Sequence, residues 1–405
     1  MKVLLAHPGT QYAFRLAAEL DAQGLLFRFV TGIAFDEKSQ WMSRLPASWR
    51  RKVSNRILSL PHFASRVRTI PMVEIKALLR LRLGGDMERI LGDRNEDFQR
   101  RIPQEDIDRC DVVIGFDTSS WILAERARQA GKPFVLDQSI GHPRGKHFLF
   151  TQLRERYPDW AEDISVKPAY LLEREDAEYE LAQRIVVAST FTKNSLSQFG
   201  IGEEKIRINP YGVSDSFFIE RNDHSGTRPI RFLCLGTVGA RKGSPFLQEV
   251  WSDGNFQASG AEVWFAGPAT EKVKDLIQPT QGFVYQGRVS HREIPELLGK
   301  CDCLLFPSFY EGFGQVILEA MAAGLAVITT ENTAGPDIIE HGVDGLLFQA
   351  GDAVGLKQLL DRVLTRPEDV KRMGARAREK ARTFTWARYG ATWNTILQEL
   401  NRERQ

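Results

Sequence analysis

The sequence predicts an α/β protein made of two successive doubly wound halves. Short apolar runs with the character of buried strands alternate with amphipathic helical segments along most of the 405 residues. A polar seam over 214–229 interrupts this alternation, and a second series begins at Ile230. The length is ample for two domains of ordinary size. We therefore expect a ligand to bind in the cleft between the halves, beyond the carboxyl ends of the strands.

The first half opens as a strand–loop–helix–strand unit. Its helix, over 12–22, places Ala13, Leu16, Ala17 and Leu20 on one face, as expected for a helix that packs on a sheet. The predicted elements of this half are strands over 2–6, 26–30, 111–116, 133–136 and 184–188, and helices over 12–22, 120–130 and 170–183. A further helix follows Ser189 and Thr190, either of which can cap it.

The second half repeats the same alternation and ends in a helix over about 386–401. Its predicted strands lie over 230–235, 262–266, 283–286, 303–306, 326–329 and 346–348. We place the first domain at 1–208 and the second at 209–385.

Composition and charge exclude several classes of protein. The formal net charge of +2 is too small to indicate a nucleic-acid partner. The four cysteines show no Cys-x-x-Cys spacing, which argues against a structural zinc site and a disulfide framework. No apolar stretch reaches the roughly 18 residues that span a bilayer, and the apolar run at 3–6 is too short for a signal peptide. We expect a cytoplasmic protein in a reducing compartment.

Residues 44–82 form a basic stretch with interleaved aromatic and aliphatic side chains. It holds ten Lys and Arg residues and a single acid, Glu74. One interpretation is a helical excursion with a solvated basic face. The other is a patch that binds the inner face of an anionic membrane, where each basic side chain gains about 1 kcal/mol. A nucleic-acid role would rest on this stretch alone, and we expect none.

The most informative segment runs from Cys303 to Gly324. An apolar strand leads into a turn with Gly312 and Gly314, and a helix over about 315–323 follows. Glycines at such a turn let backbone amides approach a ligand, and the helix N-terminus favours phosphate. Glu311 before the turn and Glu319 in the helix are acceptors suited to sugar hydroxyls.

This segment resembles the Glu-x7-Glu signature of family 4 retaining glycosyltransferases, which have the GT-B fold of two Rossmann-like domains facing across a cleft. The resemblance implies that Glu311 lies by the donor sugar and Glu319 holds the ribose of a nucleoside-diphosphate sugar. The segment from Gly236 to Gly243 resembles the family's basic loop, which implies that Lys242 and Arg241 bind the diphosphate. Thr237 occupies the position at which the family usually has an arginine. The implied donor-binding residues are Gly236, Thr237, Arg241, Lys242, Glu311, Gly312, Phe313, Gly314, Gln315 and Glu319.

Three further segments match the family in the right order: 209–213 as the interdomain crossing, 333–345 with Asp337 at a usual glutamate, and 384–386 as the entry to the last helix. The resemblance implies that this helix, 386–405, packs back on the first domain. It covers 185–400 well and the first 184 residues weakly. The first domain would bind the acceptor, a glycan or lipid-linked hydroxyl compound of cell-surface polysaccharide biosynthesis.

The family often carries a histidine near the reacting carbon, for which His142 is the first candidate here and His7 the second. The mechanism implied is transfer of a hexose-type sugar with retention of configuration. Cations would stabilise the leaving diphosphate, so that neither a metal ion nor a cofactor is expected. The Asp-x-Asp at 106–108 precedes a strand, and we interpret it as part of a turn.

Two other readings of the sequence remain open. One is a GT-B phosphorylase, or a hydrolase or epimerase of sugar nucleotides. A phosphorylase would need pyridoxal phosphate held by a lysine, and no lysine here has a sequence context that indicates this. The other is a catalytically impaired nucleotide-sugar-binding protein, which Thr237 and the glycine-poor loop at 7–10 would favour. Nucleotide release from a panel of donors distinguishes this second alternative from a transferase.

Overall fold

The computed structural model describes residues 1–39, 53–165, 167–221 and 228–404. The strands of the first half are β1 (Val3–His7), β2 (Leu26–Thr31), β3 (Phe35–Asp36), β4 (Ile57–Leu58), β5 (Val67–Thr69), β6 (Val112–Phe116), β7 (Phe134–Gln138), β8 (Arg184–Val187) and β9 (Ile206–Ile208). Its helices are α1 (Ala13–Ala22), α2 (Phe63–Arg66), α3 (Pro71–Arg82), α4 (Met87–Arg100), α5 (Gln104–Arg109), α6 (Trp121–Gln129), α7 (Pro143–Arg156), α8 (Ala169–Leu181) and α9 (Thr190–Gln198).

The second half continues in the same manner. Its strands are β10 (Arg231–Leu235), β11 (Glu262–Ala266), β12 (Phe283–Gly287), β13 (Cys303–Phe306), β14 (Ala326–Thr330) and β15 (Leu346–Phe348). Its helices are α10 (Ser244–Asp253), α11 (Glu271–Ile277), α12 (Ile294–Gly299), α13 (Gln315–Ala322), α14 (Gly335–Ile338), α15 (Ala353–Thr365), α16 (Pro367–Ala381) and α17 (Trp386–Arg402).

Each half contains one large parallel sheet. The first sheet has the order β5-β2-β1-β6-β7-β8-β9, and the second has the order β12-β11-β10-β13-β14-β15. In both, the chain winds outward from a central strand in one direction and then in the other, which is the doubly wound arrangement of a Rossmann-like domain. All residues of β1, β6, β13 and β14 are buried because helices cover both faces. The expected α/β class with two Rossmann-like domains is confirmed.

The last helix returns to the first domain. Helix α17 packs on α1 so closely that a Cβ added at Gly390 would lie 2.8 Å from the Cβ of Glu19. Tyr389 and Trp393 of α17 are buried in an apolar cluster that contains side chains of both sheets. At the crossing between the domains, the Asn209 side-chain amide donates to the Tyr389 carbonyl at 3.1 Å. The first sheet ends at Ile208 and the second begins at Arg231, on either side of the division proposed from the sequence.

The basic stretch departs from the helical excursion expected for it. Arg44, Arg50, Arg51 and Lys52 lie outside the described residues. Within the described part, β5 joins the edge of the first sheet beside β2. Along this short edge strand the exposure increases from buried Val67 to exposed Thr69. Part of the basic stretch is therefore incorporated into the first sheet, and some of its basic side chains are only partly exposed to solvent.

The Asp-x-Asp at 106–108 lies in a helix, and its interpretation as a turn is wrong. Pro103 precedes α5, and Glu105 and Asp106 in the first turn complement the positive end of the helix dipole. The buried carboxylate of Asp106 pairs with Arg68 at 2.9 Å and Arg28 at 3.4 Å. In the described ranges of the chain, no helix is both long and apolar enough to cross a bilayer.

Candidate functional site

The site predicted from the sequence lies where the second sheet changes direction. Strand β10 pairs with β11 on one side and β13 on the other, so the loops that follow β10 and β13 leave the sheet in opposite directions. Ligands of doubly wound sheets bind in the crevice that such loops leave at the carboxyl edge. Here the two loops are 236–243, which leads into α10, and 307–314, which leads into α13. We call them the basic loop and the glutamate loop.

Glycines hold the basic loop against its neighbours. Gly236 and Gly243 both have left-handed backbones, with φ of 128° and 76°. A Cβ at Gly243 would also lie 2.2 Å from the carbonyl oxygen of Pro307 in the glutamate loop. This approach lets the amide of Phe309 donate to the carbonyl of Arg241 at 2.9 Å. The two loops therefore form one unit, and Thr237 is exposed near its start.

Three charged side chains of the two loops meet in one cluster. Arg241 Nη1 lies 2.9 Å from Glu311 Oε1, and Lys242 Nζ pairs with Glu311 Oε2. Arg241 also donates to the Tyr310 carbonyl at 3.1 Å. Residues about 70 positions apart in the sequence are thus joined, as a diphosphate site built from both loops requires.

Burial and pairing together set the protonation of this cluster. Burial lowers the pKa of Lys242 to about 8, although the charge of Glu311 opposes the shift. Burial alone would raise the pKa of Glu311, but the charges of Lys242 and Arg241 outweigh it and hold that pKa below its ordinary value. At neutral pH the cluster therefore holds two cations and one carboxylate, with one positive charge in excess.

The turn before α13 adds backbone donors to the cluster. Gly314 has a φ of 83° and immediately precedes the helix, whose first amides point out of its N-terminus. The side-chain amide of Gln315 donates to the Gly212 carbonyl at 2.8 Å and so ties this helix start to the interdomain crossing. Phe313 is buried and packs edge-to-face on Tyr211, with ring centroids 5.0 Å apart. These two side chains anchor the turn.

Glu319 lies one turn further along α13 and is buried. Its carboxylate Oε1 is 3.4 Å from Nε2 of His291, which is largely exposed. The hydrogen bond to Glu319 raises the pKa of His291 above its ordinary value. His291 was not foreseen, since a lone histidine in the loop after β12 carries no sequence signal for this partner.

The first domain reaches the glutamate loop with several polar contacts that the sequence did not indicate. Tyr310 Oη donates to the carbonyl of His142 at 2.9 Å, and Ser195 Oγ lies 3.1 Å from Tyr310 Oη. Thr192 donates to the Gly312 carbonyl at 3.1 Å. A Cβ at Gly312 would lie 1.9 Å from the carbonyl oxygen of Ser139, so only glycine allows this closeness. The cleft is therefore closed around this loop.

The two candidate histidines have different environments. The ring of His142 stacks on Phe199 with centroids 4.5 Å apart, and its Nδ1 accepts from the Arg144 amide at 3.2 Å as the N-cap of α7. Burial lowers the pKa of His142 to about 4. His7, at the end of β1, lies beside a cavity of the first domain and contacts Ser119. The structure thus uses the His142 ring for capping and brings its backbone carbonyl, not the ring, to Tyr310.

Comparisons with known proteins support the class of protein that this geometry indicates. The family model of glycosyl transferases group 1 matches residues 216–380, which contain both loops and α13. Among curated relatives, the amylovoran biosynthesis glycosyltransferase AmsK of Erwinia amylovora is 25% identical over 290 residues, covering 66% of this chain and 71% of that protein. The colanic acid biosynthesis glycosyltransferase WcaL of Salmonella typhimurium, whose assignment is itself provisional, is 25% identical over 316 residues, covering 71% and 76%.

Solved structures extend the similarity to both domains. Anabaena Alr3699/HepE in complex with UDP and glucose has a TM-score of 0.64 and 17% identity, covering 98% of this chain and 99% of that one. Sucrose-phosphate synthase from Thermosynechococcus elongatus has a TM-score of 0.63 and 17% identity, covering both chains fully. These similarities show the GT-B fold. Together with the family match, they support a glycosyltransferase.

Proposed function

We propose that the chain transfers a hexose-type sugar from a nucleoside-diphosphate sugar to a hydroxyl acceptor with retention of configuration, as a member of family 4. The observation that carries the proposal is the cluster of Arg241 and Lys242 on Glu311 beside the N-terminus of α13. Two cations and free helix amides in a closed cleft form a fixed positive potential. Such a potential stabilises the negative charge that develops on a departing diphosphate.

The cluster also suggests how a donor would be received. Without a donor, Glu311 neutralises much of the charge on Arg241 and Lys242. A diphosphate carries more negative charge than one carboxylate and competes for both cations. Glu311 would then turn to the hydroxyls of the donor sugar and orient it. Since a carboxylate engaged in this way is a poor nucleophile, we propose front-face attack in which the leaving phosphate takes the acceptor proton.

The remaining donor contacts follow from α13. Buried Glu319, whose carboxylate lies beside His291, would accept hydrogen bonds from the ribose hydroxyls. The backbone amides at Gly314 and Gln315 would reach the phosphate, and Gly236 would let it approach the basic loop. Arg241, Lys242 and these amides supply the positive charge that transfer needs, so we propose that no metal ion takes part. Activity that persists in a chelator tests this point.

The donor is a uridine or guanosine diphosphate sugar in the proposal. HepE binds UDP and glucose in its crystal. A mannosyltransferase of Mycobacterium tuberculosis that is 24% identical over 320 residues is GDP-mannose-dependent. Thermal shift against UDP, GDP, ADP and their sugars tests the proposal directly, because a ligand at 100 times its Kd stabilises the folded state by about 2.7 kcal/mol. If no nucleotide raises the melting temperature, the donor-site assignment is wrong.

The acceptor is proposed to be a glycan or lipid-linked compound of cell-surface polysaccharide synthesis, held at the inner face of an anionic membrane. AmsK and WcaL are named for the biosynthesis of amylovoran and of colanic acid, which supports this proposal. Support for the membrane comes from α3, where Met72, Ile75, Leu79 and the following Leu83 are exposed at helical spacing.

The charges of α3 fit such a surface. Lys76 and Arg82 are exposed among the apolar side chains, while Val73 and Ala77 on the opposite face are buried in the first domain. A helix with this distribution lies in the plane of an interface with its apolar side inserted and its basic side chains on the headgroups. Glu74 of the same helix lines the cavity beside His7, so docking of α3 would bring that cavity to the membrane.

A further inference from the structure

The first domain contains a cavity of about 380 Å³ at the carboxyl edge of its sheet. His7 at the end of β1, Arg56, Glu74 of α3 and Arg94 of α4 are among the side chains that line it. Gly9, Thr10 and Gln11 form another part of its wall. The cavity therefore lies at the point where the first sheet changes direction, which mirrors the position of the donor site in the second.

One loop separates this cavity from the donor site. Tyr12 follows Gln11 and stacks on Tyr211, with ring centroids 3.8 Å apart. Tyr211 in turn packs on Phe313 of the glutamate loop, with ring centroids 5.0 Å apart, so Tyr12 connects the β1–α1 loop to that loop. A molecule in the cavity would thus have only the β1–α1 loop between it and the donor.

The basic side chains of the cavity are not fully neutralised. The buried carboxylate of Glu74 is shared by two guanidinium groups, Arg56 at 2.6 Å and Arg94 at 3.4 Å. The other contacts of the Arg94 guanidinium are to Asn95 Oδ1, which is neutral. Elsewhere in the wall, Lys167 pairs with Glu175 at 2.8 Å, and Arg174 pairs at 2.7 Å with Glu96, which Arg100 also contacts. Glu88 lines the cavity as well and accepts from the Ser165 hydroxyl at 2.9 Å. An excess of positive charge is therefore concentrated at the Arg56–Arg94 end, where a bound anion would offset its desolvation.

The hydrogen bonds of His7 fix its tautomer. Ser119 donates its hydroxyl proton to the Phe116 carbonyl at 3.1 Å, so it accepts from His7 Nδ1–H at 3.2 Å. Nε2 then carries a lone pair, and within the ranges that the structure describes it has no hydrogen-bond partner. It faces Gly9, where an added Cβ would lie 3.3 Å away. Burial lowers the pKa of His7 to about 3, with contributions from Arg94 and Arg56, so the ring is neutral at physiological pH.

Two backbone outliers lie in the same wall. Thr118 has a φ of 68°, which is costly for a β-branched residue, and Gln11 has a φ of 31°. The strained position of Thr118 is held by its amide donating to buried Glu178 at 2.9 Å and its carbonyl accepting from Asn95 at 2.8 Å. Such backbone strain is concentrated at ligand sites.

We infer that this cavity binds the acceptor and selects a sugar that bears an anionic group, with the anion on Arg94 and Arg56 and the attacking hydroxyl donating to His7 Nε2. The inference rests on the proposed transferase function and adds the chemical class of its acceptor. His7 orients the hydroxyl and leaves the proton to the departing phosphate. A carboxylate and a phosphate share the chemistry that the two arginines recognise, in each case by paired N–H···O bonds.

The test measures sugar binding to the chain saturated with the nucleotide that thermal shift identifies. Glucuronic acid, glucose 6-phosphate and glucose are titrated in parallel, and the first two distinguish a carboxylate from a phosphate as the preferred anion. We expect at least one anionic sugar to bind tenfold or more tightly than glucose. Arg94→Gln should reduce this preference to less than threefold. The matched control Arg101→Gln, an exposed residue just after α4 that pairs with Asp97, should keep it.

Three further readouts keep the outcomes separate. Melting temperatures show whether Arg94→Gln folds. Arg94→Lys keeps the charge but loses the planar fork, so its preference for an anionic sugar over glucose should lie between those of wild type and Arg94→Gln. In transfer assays, His7→Asn keeps a polar group near Ser119 but has none at the position of Nε2. It should lower kcat at least tenfold and leave the acceptor affinity unchanged, and His7→Gln should recover part of the lost kcat. Equal binding of glucose and both anionic sugars would overturn the inference while nucleotide binding stands. Failure of every nucleotide to bind would instead overturn the proposed function.

Discussion

Replacing Lys242 by Met tests the central claim about the donor site. Methionine keeps the apolar stem, whose ammonium lies 4.3 Å from the ring centroid of Phe306, and removes only the charge. Glu311 retains Arg241 as its partner at 2.9 Å, so the buried carboxylate is not left unpaired. We therefore expect the variant to fold and its free energy of unfolding to change by about 1–2 kcal/mol at most.

The expected loss of activity follows from the position of the ammonium. At about 4 Å, in an environment with an effective dielectric constant near 20, two unit charges interact by about 4 kcal/mol. Removing one fixed donor from an oxyanion site costs about 2.7–4 kcal/mol of transition-state stabilisation. Lys242→Met should thus lower kcat about 10²- to 10³-fold. KM for the donor should rise less, because the diphosphate gains a further negative charge as the bond breaks, so the ammonium interacts more strongly with the transition state than with the bound donor.

The assay is steady-state release of nucleoside diphosphate with the donor and acceptor found by screening. The matched control is Lys300→Met in the same domain, an exposed lysine paired with Glu296 at 2.7 Å. This control should keep the wild-type rate and melting temperature. A folded Lys242→Met variant whose kcat and kcat/KM both stay within threefold of wild type would refute the role given to the ammonium.

Four further predictions follow from the same geometry. Since the pKa of Lys242 in the free enzyme is about 8, it loses its charge as pH rises through that value; kcat/KM should fall tenfold per pH unit above it, and Lys242→Arg should shift or abolish this fall. Glu319→Ala should raise the donor KM about 10- to 100-fold, because the ribose hydroxyls lose their hydrogen bonds to a charged carboxylate, while Glu271→Ala at an exposed position of α11 should have no effect. Gly312→Ala should lower kcat at least tenfold with nucleotide binding retained, because its Cβ meets Ser139; an unchanged kcat would contradict the closed cleft. Ile75→Ser with Leu79→Ser on α3 should reduce cosedimentation with phosphatidylglycerol vesicles at least fivefold, and Val354→Ser, at a more exposed position of the other domain, should not; equal binding of wild type and both variants would remove the membrane proposal.

Much of the fold could be predicted because local pattern and global architecture agree. The strands 262–266, 303–306 and 346–348 lie where the apolar runs predict them, and most other elements differ by one or two residues. A buried parallel strand needs a short, continuous apolar run, and the helices between strands need a 3.6-residue period, so both are visible in one sequence. β5 was missed because a strand of three residues at a sheet edge carries too little signal.

The donor site was more predictable than its surroundings for a related reason. Arg241, Lys242 and Glu311 sit on loops whose glycines reveal the sharp turns required, and family resemblance gave their pairing a meaning. Partners such as His291 for Glu319, within the second domain, or Ser195 for Tyr310, across the two domains, are set by tertiary packing. No periodicity or spacing encodes such a contact, since each partner alone is an ordinary surface polar residue.

The contacts between the domains also suggest why turnover and nucleotide binding can be separated. In the proposal, the glutamate loop carries Glu311 toward the donor. The residues directly before and after Glu311 contact the first domain: Tyr310 hydrogen-bonds to His142, and Gly312 hydrogen-bonds to Thr192. Each of these hydrogen bonds contributes only about 0.5–1.5 kcal/mol net, so the closed arrangement is held by several weak contacts and can open to exchange ligands. In the proposed function, nucleotide affinity depends on Lys242, Arg241 and Glu319 within one domain, whereas the orientation of Glu311 toward an acceptor depends on closure. Chemistry should therefore occur only while the first domain holds the loop, which restricts loss of the donor sugar to water when no acceptor is present.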